Sequence, residues 1–190
     1  MGRRLGVAVL AAGSSRRFGD ADKLCAEFRG RPLGEHAADA VPVELFERAW
    51  VITRAPDHPC EPHWRARRFE PLINLRAGEG QSTSVALAAT AAQQADLDGL
   101  LIALADMPLV PPSHFEALIE EWDASAPITV SAIGEARMPP ALFASRYFKD
   151  LAASNGDQGA RVLVAQGEVV ACPPEWLADI DTPEALKALS

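Results

Sequence analysis

The run Leu5-Gly6-Val7-Ala8-Val9-Leu10 constrains the fold more than any other stretch of this chain. Apolar from end to end but for Gly6, it reads as a strand buried on both faces. It breaks into Ala11-Ala12-Gly13-Ser14-Ser15, and then into Arg16, Arg17, Gly19 and Lys23. Small side chains let backbone N–H groups approach an anion closely, and cations at the rim offset its charge. A plainer reading uses the same residues as a strand-to-helix connection with solvated arginines. The loop is neither Gly-x-x-x-x-Gly-Lys-Ser/Thr nor Gly-x-Gly-x-x-Gly.

Charge is distributed unevenly. The first 31 residues hold seven Lys/Arg against three Asp/Glu, a net +4, and the rest hold eleven against twenty-three, a net −12. A basic first loop on an acidic chain points to a small anionic ligand and away from nucleic acid. No apolar run approaches the length of a membrane span. Arg3 and Arg4 before Leu5–Ala12 imitate a signal sequence, but the run is short and ends in Gly-Ser-Ser-Arg-Arg, so a cytoplasmic location is expected. Cys25, Cys60 and Cys172 are odd in number and scattered, and His36, His58, His63 and His114 have no metal-ligand spacing. Neither a disulfide framework nor a zinc site is expected.

Further along, strand-like runs alternate with helical stretches, which predicts an α/β fold with a mostly parallel sheet over one domain, residues 1–190. Strands are expected at 6–10, 48–53, 99–104, 127–133 and 168–172, with a weak edge strand in 67–74 that contains Pro71. Gly78-Glu79-Gly80-Gln81-Ser82-Thr83-Ser84 leads into an alanine-rich helix over 85–95, with Ser82, Thr83 or Ser84 as its N-cap. A glycine-rich loop at a helix N-terminus is also a place to hold a base, ribose or phosphate. The buried run 99–104 ends in Ala105-Asp106-Met107-Pro108, which puts a carboxylate at the carboxyl end of a parallel strand, where α/β folds bind ligands. A helix is predicted over 112–123, with Ser113 as a possible cap. Asn155-Gly156-Asp157-Gln158-Gly159-Ala160-Arg161 reads as one helix end and the next helix start. Thr182-Pro183-Glu184 opens a terminal helix, and Asp179 and Asp181 precede it without being needed for its cap.

Leu-Ala-Ala-Gly-x-Ser-x-Arg-x-Gly followed by a lysine resembles the signature loop of sugar-nucleotide and cofactor nucleotidyltransferases. More narrowly, it is similar to the molybdenum cofactor cytidylyltransferase branch of the MobA-like group. The resemblance extends in order through Gly80-Gln81-Ser82-x-Ser84, Leu104-Ala105-Asp106-Met107-Pro108, Pro140-x-Leu142-Phe143, Gly156-Asp157-x-Gly159-Ala160-Arg161 and Asp179-Ile180-Asp181-Thr182-Pro183. It implies a Rossmann-like domain of the nucleotide-diphospho-sugar transferase type, with helices on both faces of a twisted sheet.

The activity implied is Mg²⁺-dependent transfer of CMP from CTP to a molybdopterin-type phosphate acceptor, with pyrophosphate released. A molybdoenzyme would receive the product. The resemblance implies that Leu10, Ala11, Ala12, Gly13, Ser14, Ser15, Gly80, Gln81, Ser82 and Ser84 hold the nucleotide. Pro140, Leu142, Phe143, Gly156, Asp157 and Gly159 would border the acceptor. Asp106 and Asp181, with Asp179 as the alternate, would hold the metal, because Mg²⁺ binds through one or two carboxylates plus substrate phosphates. Arg16 and Lys23 would stabilise charge developing on the phosphates. Alternatives within the group are a GTP-using guanylyltransferase and a methylerythritol-phosphate cytidylyltransferase, whose Asp-Ala-Ala-Arg-Pro element is replaced here by Ala105-Asp106-Met107-Pro108. A different class of reading is a non-catalytic carrier that delivers the cofactor to a molybdoenzyme.

Overall fold

A computed structural model describes residues 2–13, 18, 22–123, 126–153 and 158–190. All six residues of β1 (Leu5–Leu10) are buried. This strand pairs in parallel with β4 (Arg48–Thr53) on one side and β6 (Gly99–Leu104) on the other. Beyond β4 lies the parallel edge strand β5 (Glu70–Ile73). Beyond β6 come β8 (Ala136–Ala144), β7 (Ile128–Ile133) and the second edge, β9 (Glu168–Ala171). The order is β5-β4-β1-β6-β8-β7-β9, and β8 alone runs antiparallel to its neighbours. A small hairpin, β2 (Glu27–Phe28) with β3 (Arg31–Pro32), turns through Arg29 and Gly30, both at positive φ.

Alternation along β1 explains the two cores. Leu5, Val7, Val9 and Ala11 pack on one face, under α1 (Leu33–Ala40), α2 (Glu61–Ala66) and α4 (Pro112–Glu121). Ala8, Leu10 and Ala12 pack on the other, under α3 (Gln81–Gln94) and α5 (Phe148–Ala153). The break in the apolar run at Gly6 has a steric cause: a Cβ there would lie 2.6 Å from Leu97 and 3.1 Å from the Trp50 ring. Two further helices, α6 (Gln158–Gln166) and α7 (Pro183–Leu189), complete the described fold. Among the described residues, no helix is long and apolar enough to cross a membrane.

Two local expectations need correction. Helix α3 starts at Gln81, with Gly80 (φ 123°) as its N-cap and no side-chain cap, so Ser82, Thr83 and Ser84 lie inside its first turn. Helix α4 is preceded by Pro111, and no side chain caps it, so Ser113 does not serve there. Pro139 and Pro140 lie within a strand that is paired on both sides. Their missing N–H groups are accommodated by a register shift at Val130/Ser131. By contrast Thr182 caps α7 as expected, its Oγ1 accepting from Ala185 N–H at 3.1 Å.

The order of strands also locates a crevice. From β1 the chain moves outward through β4 to β5, then returns to the opposite side of β1 for β6. In open α/β sheets, ligands bind beyond the carboxyl ends of the strands where this reversal occurs. Two backbone bonds carry the ladder past the strand ends: Ala11 N–H to Ile52 O (2.8 Å) and Ala105 N–H to Leu10 O (3.1 Å). Residues 11–13 and 105–106 therefore emerge side by side.

Candidate active site

A cleft of about 640 Å³ opens at that point. Its lining includes Leu10, Ala11, Ala12 and Gly13 from the end of β1, Gly80, Gln81 and Ser84 from the start of α3, and Lys23, Asp106, Asp179 and Asp181. Ten of the residues expected to hold nucleotide or metal, together with Lys23, are thus brought to one cavity. Ser82 is buried at 4% exposure and does not line it. Ser14, Ser15, Arg16, Gly156 and Asp157 lie outside the described residues, and Gly159 is placed only as part of the first turn of α6.

The expected acceptor segment on β8 is a correction. Pro140 is buried, and Leu142 and Phe143 are 0% and 2% exposed. Leu142 belongs to one core and Phe143 to the other. A strand sandwiched between β6 and β7, with both faces covered, offers these side chains to the interior and not to a substrate. The Pro140 carbonyl accepts from Ser131 Oγ at 2.7 Å, and Ser131 Oγ in turn lies 2.8 Å from His114 Nε2. The serine proton is committed to Pro140, so His114 donates from Nε2. Burial holds this imidazole below the ordinary histidine pKa.

The chemistry of the cleft concentrates at one corner. Lys23 Nζ donates to Asp106 Oδ2 and to Asp181 Oδ1, each at 2.6 Å. Lys23 is only 7% exposed. Burial alone would lower the ammonium's pKa, but Asp106 and then Asp181 outweigh it and hold it above the ordinary lysine value. Asp181 reaches this corner because Ile180, fully buried, donates its N–H to Asp106 O at 2.9 Å. That bond ties the segment before α7 to the end of β6. Asp179 also faces the cleft. Burial, and next the Asp181 carboxylate, push its carboxyl above the usual range. Three carboxyl groups thus share the corner with one ammonium. All are hard oxygen donors, the type that Mg²⁺ and Mn²⁺ take, so the residues present fit a divalent cation.

Lys23 is delivered by a braced turn. Asp22 Oδ1 accepts from Leu24 N–H (2.9 Å) and so caps the 3-10 turn Lys23–Cys25. His58 Nδ1 accepts from Cys60 N–H (3.1 Å), which leaves the ring proton on Nε2 to bond Asp22 Oδ2 at 3.2 Å. The His58 ring stacks on Trp64, with centroids 4.6 Å apart. Asp22, Cys25 and His58 lie close enough together to suggest a second metal site. The tautomer argues otherwise, because no imidazole lone pair faces the other two. Burial raises the Cys25 thiol pKa and pushes that of Cys60 up to about 12, so both stay protonated.

The opposite wall is neutral. Asn74, 5% exposed at the end of β5, donates from Nδ2 to Thr83 Oγ1 and Ser84 Oγ, both at 2.9 Å. Its Oδ1 accepts from Arg76 N–H at 2.9 Å. One side chain thereby holds the Gly78–Ser84 loop against the sheet. Sequence reasoning missed Asn74, since a single Asn after an edge strand reads as an ordinary turn residue. Arg161 also lines the cleft, from α6. Its signal was present in the Gly-Asp-x-Gly-Ala-Arg stretch, but it was not singled out.

Comparison with known proteins places the chain in a family. The MobA-like NTP transferase domain matches residues 7–170. The chain belongs to that family. Over 190 aligned residues it is 32% identical to the purine catabolism protein PucB of Bacillus subtilis, covering 92% of this chain and 90% of that one. It is 23% identical to the molybdenum cofactor guanylyltransferase of Shewanella sediminis, over 100% and 97% of the two chains. A Mycobacterium tuberculosis protein crystallised with manganese, Rv0371c, shares the fold with a TM-score of 0.73 at 21% identity, over 100% and 98% of the chains. The protein is a nucleotidyltransferase of the MobA-like type, with an α/β, Rossmann-like fold.

Proposed function

We propose that residues 1–190 act as one cytoplasmic domain that transfers CMP from CTP to a molybdopterin-type phosphate, with Mg²⁺ as the cofactor, and that a molybdoenzyme receives the dinucleotide product. The observation that carries this reading is the Asp106–Lys23–Asp181 corner beside the Gly13 loop, in one cleft of a MobA-like chain. The chemistry needs a phosphate oxygen of the acceptor in line with the α-phosphorus, while pyrophosphate leaves on the far side. Ala12 and Gly13 would present their backbone to the triphosphate, while the Ala11 N–H holds the loop to β4. Gln81 and Ser84 face the same cavity and are positioned for base and ribose. Asp106 and Asp181, with Asp179 adjacent, would hold Mg²⁺, which neutralises charge on the transferred phosphoryl group when bound. Lys23 and Arg16 supply positive charge to the departing phosphates. An acceptor phosphate is already nucleophilic at neutral pH, so no general base is required. Arg161 is the cation on the acceptor side.

GTP is the second reading, favoured by the guanylyltransferase name of the Shewanella relative. Thermal shifts with CTP, GTP, ATP and UTP plus Mg²⁺ separate the two, because stabilisation grows with ligand concentration relative to Kd. CTP is expected to raise Tm most. A larger shift with GTP would replace the cytidylyl assignment with the guanylyl one.

A further inference from the structure

Lys23 lines the cleft, but its ammonium is engaged by carboxylates. Its Nζ sits between two carboxylate oxygens at 2.6 Å from each. Those oxygens are therefore no further apart than twice 2.6 Å, or 5.2 Å. A Mg²⁺ or Mn²⁺ ion bridging the same pair would need ligand distances of about 2.0–2.2 Å. A small inward movement of Asp181, whose side chain is 43% exposed, closes that gap. The ion would then stand where Nζ stands. The two cations cannot share those oxygens, because their like charges would lie within contact distance in a partly buried site.

We infer that the Lys23 ammonium and the divalent ion are alternative occupants of the Asp106–Asp181 pair, and that loading the metal ejects Nζ into the cleft toward the polyphosphate. This rests on the reading of Asp106 and Asp181 as the metal's carboxylates. Lysine suits the exchange. Its ammonium is a compact point charge on a flexible four-carbon stem, and its three donors serve two carboxylates or a phosphate equally well. Only the side chain need move, since the turn under it is pinned by Asp22 and His58. With no metal bound, the carboxylates stay neutralised and the corner stays folded. With metal bound, the same cation becomes available to the leaving group. The lysine thus lowers the metal affinity of the nucleotide-free protein, and a nucleotide that captures Nζ restores it.

Removing a site cation should therefore improve binding of another cation. Mn²⁺ affinity without nucleotide, followed by the EPR signal of the free ion, is expected to tighten ~10-fold or more in Lys23→Met. Lys23→Arg, which keeps the charge, should stay near wild type, and Asp106→Asn should lose binding in either background. A second readout needs no variant. Acylation of Lys23 by an amine-reactive reagent, scored by mass spectrometry, should be slow in the apo chain, rise with Mn²⁺, and fall again when nucleotide is added. If Asp106→Asn abolishes Mn²⁺ binding but Lys23→Met binds no tighter than wild type and Lys23 labelling ignores Mn²⁺, the exchange is wrong while the metal site stands. If Asp106→Asn leaves Mn²⁺ binding unchanged, the metal assignment itself falls, and the exchange with it.

Discussion

The two walls of the cleft are held by opposite means. On the α3 side, the buried Asn74 joins β5 to the first turn of the helix through neutral hydrogen bonds. On the β6 side, Asp106, Asp179 and Asp181 meet around one lysine, and the Asp179 carboxyl is pushed up by burial and its neighbours. The neutral wall is complete without a ligand and serves as a fixed floor. On the exchange proposed above, the charged wall would rearrange when a metal ion or a phosphate arrives.

The largest break in this contrast comes from Asp106→Ala. Turnover should fall by about 10³-fold or more, as when a principal charge-stabilising group is removed. The fold should persist with a lowered melting temperature, because Asp106 lines a cleft and is not core but is the first partner of the largely buried Lys23 ammonium. Near-normal turnover, or unfolding, would count against the assignment. Next is Asn74→Ala, which leaves Thr83 and Ser84 without their donor. It should cost about 1–3 kcal/mol of stability by denaturant unfolding, and raise KM for nucleotide more than it lowers kcat. The reverse split would move Asn74 to the charged wall.

The smallest effect is a pH limb. The folded-state pKa of Lys23 lies above its ordinary 10.5. Its contribution to stability is therefore fully present below 10.5 and is lost as pH rises through the folded-state value. Wild type should lose stability on that alkaline limb, and Lys23→Met should lose less. Asn74→Ala should retain the full limb, because its wall carries no charge that titrates there.

Much of the fold was legible because apolar runs and breaks report burial directly. Leu5–Leu10, Arg48–Thr53 and Gly99–Leu104 appear as strands where their composition predicts them. Less legible was what long-range backbone bonds decide. Asp106 and Asp181 are 75 residues apart, and the Ile180–Asp106 bond that joins them leaves no trace in local spacing. Resemblance, with the position of Asp106 at a strand end, suggested the pair. Lys23 was expected at the phosphates, and its contact with both carboxylates could not be read from the sequence. Leu142 and Phe143 misled for a related reason. Their motif pointed to an acceptor surface, whereas pairing with β6 and β7 covers both faces of their strand. Ser82–Ser84 are good cap residues, but Gly80 at φ 123° starts the helix earlier and takes the cap position.

The central claim is that this corner supports nucleotidyl transfer, and it can be tested in one assay. Purified protein is incubated with α-³²P-labelled CTP, Mg²⁺ and a molybdopterin phosphate acceptor, beside Asp106→Ala. Label should enter a pterin dinucleotide with one pyrophosphate released per transfer, and the variant should show neither. If no label is transferred from CTP or from any of the other three nucleotides while the acceptor still binds, the protein carries the cofactor and does not make it.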